Sequence, residues 1–221
     1  VTKDDGDLYG GLTQGMARAL YQRAQAYLIW TEGEVMGGLD ADLKAARRFL
    51  GAIPPQRFEE EERGPHGPML PHDVALIRGE LTLEAYQVYE AHILGADAFT
   101  LLPTLLSQGQ LEEVVGFGRE VGLMPIALVW RDEDALRAKA AGVESILYAP
   151  RDPLSPLPIK SRECIAGFQA LGETLGGFSM RLAYAPLAKP PRLIEMGEIG
   201  ATGLVSCARG DALLKDLRAP S

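Results

Sequence analysis

Four arginines stand at or just after apolar runs that read as strands: Arg78, Arg131, Arg151 and Arg209. A guanidinium in such a place can grip a carboxylate or phosphate with two parallel N–H bonds, so these four are candidate ligand-binding residues for a small anionic ligand. Each also has an acidic neighbour, Glu80, Asp132, Asp152 and Asp211 respectively, and solvated ion pairing is the ordinary alternative. Tyr148 and Tyr184 lie near strand ends, where they could stack on an aromatic ligand or fill an emptied mouth. Cys207 could act as a thiolate at a helix N-terminus, but no histidine lies near it in sequence. His66, His72 and His92 lack metal-binding spacing, and Cys164 and Cys207 form no C-x-x-C pair. No metal site is therefore expected.

These residues hang on a repeating pattern of elements. Apolar strand-like runs fall at Tyr27–Thr31, Val74–Arg78, Ala98–Leu102, Pro125–Trp130, Ser145–Tyr148, Met180–Tyr184 and Gly203–Ser206. Helical spacing fills the intervals at Gly11–Ala26, Asp40–Leu50, Thr82–Leu94, Gln110–Val121, Asp132–Ala141, Ser161–Leu175, Pro191–Gly197 and Asp211–Leu217. Thr82 reads as an N-cap, and Gly51 and Gly95 as helix stops. Two loops interrupt the rhythm. Ala52–Asp73 carries the acidic run Glu59–Glu62 beside Phe58, a feature suited to a basic partner or to plain solvation. Ala149–Lys160 holds four prolines, which would stiffen it.

Continuous apolar strands separated by amphipathic helices imply a parallel sheet covered by helices. One junction recurs: Leu94-Gly95-Ala96-Asp97-Ala98, Ala141-Gly142-Val143-Glu144-Ser145 and Ile199-Gly200-Ala201-Thr202-Gly203. Repetition of one junction predicts a single α/β domain over residues 1–221, a (β/α)8 TIM barrel whose first strand is missing or atypical. A doubly wound open sheet is the alternative, but the chain has no G-x-G-x-x-G turn.

Composition narrows the function. The chain has 221 residues, 47% of them hydrophobic, enough to build a core without disulfides or metal. Its formal charge is −8 and no Lys/Arg stripe is present, so nucleic acid is excluded as a partner. No apolar stretch approaches the ~20 residues of a membrane span. The sequence given starts at Val1, and the expected compartment is the cytoplasm, or an organelle matrix or stroma after removal of a targeting segment.

The stretch Arg78-Gly79-Glu80-Leu81-Thr82-Leu83-Glu84-Ala85-Tyr86-Gln87-Val88-Tyr89-Glu90-Ala91, followed by Gly95-Ala96-Asp97-Ala98, resembles indole-3-glycerol phosphate synthase. That family reads R-K-D-F-I-x-D-P-Y-Q-x-Y-E-A and then G-A-D-A at the same spacing. Trp30-Thr31-Glu32 through Leu43, Gly122 through Asp134, and Arg151-Asp152 resemble further family stretches in the same order. The resemblance implies a (β/α)8 barrel that closes the pyrrole ring of indole-3-glycerol phosphate, with loss of carbon dioxide and water and without cofactor. It also implies an acid lysine on the family's third strand, a helping lysine on the first and a glutamate on the fifth. An asparagine follows the sixth strand, a Ser-Glu-Ser-Gly turn the seventh and a phosphate-binding glycine turn the eighth.

At those positions this chain has Gly79, Leu128, Ala149 with Pro150, Ala183-Tyr184-Ala185-Pro186, and Cys207, while the first-strand lysine would precede Val1. Gly and Leu can neither donate nor accept the protons that ring closure moves, and each lost acid or base costs roughly 10²–10⁴-fold. The expectation is a catalytically degenerate barrel serving as a structural or interaction subunit of a larger assembly. The alternative is an indole-3-glycerol phosphate synthase, or a related phosphosugar enzyme with altered chemistry.

Overall fold

Helix ends and strand starts recur in one local design, and the glycines that allow it were visible in the sequence. In the computed structural model, which describes residues 12, 15–17, 20, 24–33, 38–53, 71–150, 161–185 and 193–206, Gly95, Gly122, Gly142 and Gly200 all have positive φ, between 78° and 92°. At each, the following N–H reaches back five residues to a helix carbonyl: Ala96 to Ala91, Leu123 to Gly118, Val143 to Ala138 and Ala201 to Met196. This is the Schellman closure, which satisfies orphan carbonyls and needs a residue free to be left-handed.

The strands are β1 (Ala26–Trp30), β2 (Ala75–Gly79), β3 (Ala98–Leu101), β4 (Met124–Val129), β5 (Ser145–Tyr148), β6 (Met180–Ala185) and β7 (Gly203–Ser206). The helices are α1 (Asp40–Ala52), α2 (Ala85–Ile93), α3 (Gln108–Glu120), α4 (Asp132–Ala140), α5 (Ser161–Ala170), α6 (Gly172–Leu175) and α7 (Leu193–Glu198), with short 3-10 turns at Pro71–Asp73 and Pro103–Leu105. Strand order in the sheet follows the sequence, β1 to β7. The registers of β1 on β2, β4 on β5, β5 on β6 and β6 on β7 are all parallel. Sequential parallel strands alternating with helices are the topology of a (β/α)8-type barrel with a missing or atypical strand. A doubly wound sheet would reverse its strand order part-way, and this one does not.

The contacts divide the chain into two units, residues 1–80 with 90–98 and residues 81–89 with 99–221. In the first, β1 lies on β2 with Trp30 opposite Gly79 and Ile29 opposite Arg78. The Tyr27 hydroxyl donates to the Met16 carbonyl, 2.5 Å, and Met16 and Leu20 are buried, so the helical residues before β1 cover it. Asp42 accepts from the N–H of Leu39 and closes the start of α1.

In the second unit the registers set two rows of side chains. Leu128, Leu147 and Leu182 fall on one face, and Val129, Tyr148 and Ala183 on the other. The second row meets the helices, since the Tyr148 ring packs edge-on against Phe168 of α5 at 5.6 Å between centroids. Arg137 of α4 donates to the carbonyls of Pro103 and Leu106, tying that helix to the turn after β3.

Some boundaries differ from expectation, each for a local reason. The second helix starts at Ala85 rather than Thr82, because Gln87 caps it: its Oε1 accepts from the N–H groups of Leu83 and Glu84 at 2.7 and 3.1 Å. Thr82 is simply buried. α3 starts at Gln108 because Ser107 and Gln110 bond reciprocally across its first turn, which pulls two more residues into the helix. The helix expected over Ser161–Leu175 is broken at Leu171 into α5 and α6. The loop readings at 54–70 and 151–160 and the helix at Asp211–Leu217 lie outside the described residues.

A pair of substitutions separates backbone strain from helix propensity. A Cβ added at Gly122 or at Gly116 meets nothing within 4 Å, but only Gly122 has positive φ. Gly122→Ala should destabilise by about 1 kcal/mol, and Gly116→Ala, inside α3, should stabilise by about 0.5–1 kcal/mol, read from urea unfolding midpoints.

Candidate functional site

Barrel sites form at the C-terminal ends of strands, so those ends are the place to look. In the first unit, β2 ends on Arg78 and Gly79. Alternation along the strand sends their side chains to opposite faces. The Arg78 side chain is 4% exposed and points among the helices. Its Nε donates to Thr31 Oγ1 at 2.9 Å, and Nη2 reaches Asp40 Oδ1 of α1 at 3.0 Å and Glu80 Oε2 at 3.4 Å. Glu90 of α2 lies 3.5 Å from Nη1. Thr31 also donates to Glu80, 2.9 Å. A guanidinium this deeply buried requires such partners, since unpaired charge in a dry layer is very costly. The pairing with Glu80 was readable from spacing. Thr31, Asp40 and Glu90 were not, because they come from other elements.

Gly79 faces the other way, and Trp30 covers it. A Cβ built at Gly79 would lie 2.8 Å from Trp30 Cδ2 and Cε3 and 3.1 Å from Trp30 Cα. The indole ring thus fills the space in which any side chain at position 79 would begin. Sequence reading noted Gly79 but missed Trp30 as its cover; the strand register opposes the two.

In the second unit, Leu128 sits at 2% exposure in the row with Leu147 and Leu182, on the face away from α5. Nothing in that row donates or accepts a proton. Arg131 follows β4 and is held at Asp134, with Nη2 on Oδ1 at 2.9 Å and Nε on Oδ2 at 3.2 Å, and it also reaches Thr104 at 3.0 Å. Its guanidinium lies 5.2 Å from the Trp130 ring centroid, a cation–π distance. The expected partner Asp132 instead accepts from Thr174 at 2.6 Å, because Asp134 faces back toward Arg131 from the first helical turn. Ala149 and Ala183 are buried at the ends of β5 and in β6. Arg151, Arg209, Pro186 and Cys207 lie outside the described residues.

Tyr148 does not stand at a mouth. It is 2% exposed on the helix side of β5, where a Cβ at Gly167 would meet its hydroxyl oxygen at 1.8 Å. Burial, and then the neighbouring Cys164, push its phenol up to about 12. Cys164 Sγ donates to the Tyr184 carbonyl at 2.9 Å, and burial followed by the charge of Glu163 raises the thiol to about 12. Both groups are therefore held neutral. Among the described residues no group of three His, Cys, Asp or Glu side chains is placed to hold a metal, and no helix is long and apolar enough to cross a membrane.

Two measurements follow from these buried groups. Arg78→Leu leaves Glu80 with a buried uncompensated charge and should cost about 3–5 kcal/mol, while Asp40→Asn, at a half-exposed carboxylate, should cost about 1 kcal/mol or less, both by denaturant unfolding. The folded chain keeps the Cys164 and Tyr148 protons to about 12, whereas unfolded side chains release them from 9.0 and 10.0. The contribution of these two groups to stability should therefore be constant up to about pH 9 and fall steadily as pH rises from there toward 12, seen as a declining melting temperature over that alkaline range, and Cys164→Ala should remove the earlier part of the decline.

No family model matches the chain. Relatives were found by sequence. The chain is 26% identical over 142 residues to indole-3-glycerol phosphate synthase of Lachnoclostridium phytofermentans, covering 64% of this chain and 49% of that protein. It is 28% identical over 133 residues to the synthase of Salinibacter ruber, covering 60% and 47%. It is 36% identical over 77 residues to that of Aquifex aeolicus, covering 35% and 30%. The matches thus span about half the length of the first two relatives and less of the third. At these identities and coverages the chain is similar to the indole-3-glycerol phosphate synthases, and its sequential parallel strands alternating with helices are the topology that this similarity implies.

Proposed function

We propose that this chain is a barrel of indole-3-glycerol phosphate synthase descent that does not run the lysine-assisted ring closure of its relatives, and that it serves as a structural or interaction subunit. The observation that carries this reading is the Trp30 ring on Gly79, 2.8 Å from where a Cβ would stand. The family resemblance puts an acid lysine at that position. Here a glycine and a neighbouring ring leave no room for one. Leu128, at the position of the family's glutamate, adds to it: the row it shares with Leu147 and Leu182 is apolar and would hold a carboxylate only at a large desolvation cost.

An interaction role draws support from α2. Tyr86, Tyr89 and Ile93 are 66%, 47% and 62% exposed on one side of that helix, while Val88 and Ala91 are buried. Tyrosine and isoleucine set out in water at helical spacing suit protein contact better than solvent.

A second reading is favoured by the relatives themselves, which are named as synthases. On that reading the chain is an indole-3-glycerol phosphate synthase, or an enzyme on a related phosphosugar that uses other groups. The names of the relatives favour it more directly than they favour a silent barrel.

One assay separates the two. The folded chain is incubated with 1-(2-carboxyphenylamino)-1-deoxyribulose 5-phosphate and indole fluorescence is followed against a blank. No turnover is expected. Sustained turnover abolished by substitution of residues at the strand ends would establish the second reading. Gly79→Lys should destabilise by about 1–3 kcal/mol through overpacking against Trp30, and Trp30→Ala/Gly79→Lys should recover stability without gaining activity.

A further inference from the structure

The opposite end of β4 and β5 holds a feature that the strand-end chemistry does not use. A shallow cleft of about 280 Å³ is lined there by residues that include Arg119, Leu123, Met124, Pro125, Glu144 and Ser145. The Ser145 side chain is the unusual member. The residue is 3% exposed, yet its hydroxyl donates only to the Met124 thioether, at 3.4 Å, and forms no other hydrogen bond among the described residues. A thioether is a weak acceptor, and a buried hydroxyl ordinarily finds a better partner.

Two opposite charges share the cleft without pairing. Arg119 and Glu144 are exposed, and no ion pair joins them among the described residues. One Arg119 nitrogen donates to the Gly142 carbonyl, which anchors the guanidinium over the turn. The cleft lining also has an apolar part: Leu123 and Pro125 are buried, and Met124 is 41% exposed.

A separated cation and anion in a partly apolar cleft, with an under-used hydroxyl in the same lining, complement a zwitterion. The geometry points to a binding site for a free α-amino acid with an apolar side chain. Its carboxylate would meet Arg119 and its ammonium Glu144, with the Ser145 hydroxyl turning from sulfur to the ligand and the side chain resting on Met124. The volume, just under the roughly 300–1,000 Å³ of small-molecule sites, suits a ligand of about this size. The site is independent of whether the other strand ends are catalytic.

The test is a titration of the full, isotope-labelled chain with L-leucine, followed by amide NMR shifts. Saturable shifts at Leu123, Met124 and Ser145, with a dissociation constant on the order of 1 mM, are expected for so shallow a site. Arg119→Ala and Glu144→Gln, both at exposed positions, should each weaken binding at least about tenfold, as should replacing leucine by 4-methylpentanoate or 3-methylbutylamine, each of which lacks one charge. Shifts that do not saturate by about 50 mM, or binding indifferent to both substitutions, would overturn the site.

Discussion

A guanidinium closed off from water dictates how the first part of this chain is arranged. Arg78 is neutralised by Asp40 of α1, Glu80 just after β2 and Glu90 of α2 and bonded by Thr31 just after β1, so these elements are held by a charge that cannot be left alone. The same constraint reaches the next residue. With Arg78 committed to the helix side, strand alternation turns Gly79 to the other face, and the parallel register sets Trp30 of β1 opposite it. The glycine and the ring are then one unit. Neither makes sense singly, because the ring needs the missing Cβ and the bare backbone needs the ring to keep water out.

The second unit obeys the same alternation with different content. On its helix side, Tyr148 needs Gly167 to be bare and Phe168 to receive its ring edge, and its neighbour Cys164 is buried with it. On the other side Leu128, Leu147 and Leu182 form an apolar row. A leucine at 128 therefore fits its surroundings without any compensating polar group. Gly79 and Leu128, two positions where the family resemblance places an acid and a carboxylate, fit their surroundings by packing, so the proposed loss of ring-closing chemistry is consistent with an ordered fold.

Much of the fold was legible. The strand runs were apolar because both faces of a parallel sheet are buried, and the junction glycines at 95, 142 and 200 announced left-handed helix ends. Helix starts were less legible. Gln87 and Ser107 cap through side chains that bond backward or forward by a few residues, and propensity at Thr82 and Gln110 pointed elsewhere. The break at Leu171 had no marker in hydrophobic spacing, since both α5 and α6 bury apolar residues. Of the candidate site, the identities Gly79, Leu128 and Arg131 could be read, but Arg131 on Asp134 rather than Asp132 depended on which carboxylate the helical turn faced inward.

By itself the sequence determined the alternation of strand and helix, the order of these elements and the likeness to indole-3-glycerol phosphate synthases, because these rest on local periodicity and on identities along one stretch of backbone. Only the tertiary structure decided which side each side chain serves. Arg78 became a buried tie rather than a rim residue, Tyr148 turned to a helix rather than a mouth, and Trp30 came to rest on Gly79. Those outcomes depend on register between strands far apart in the chain, where a shift of one residue would exchange every inward side chain for an outward one.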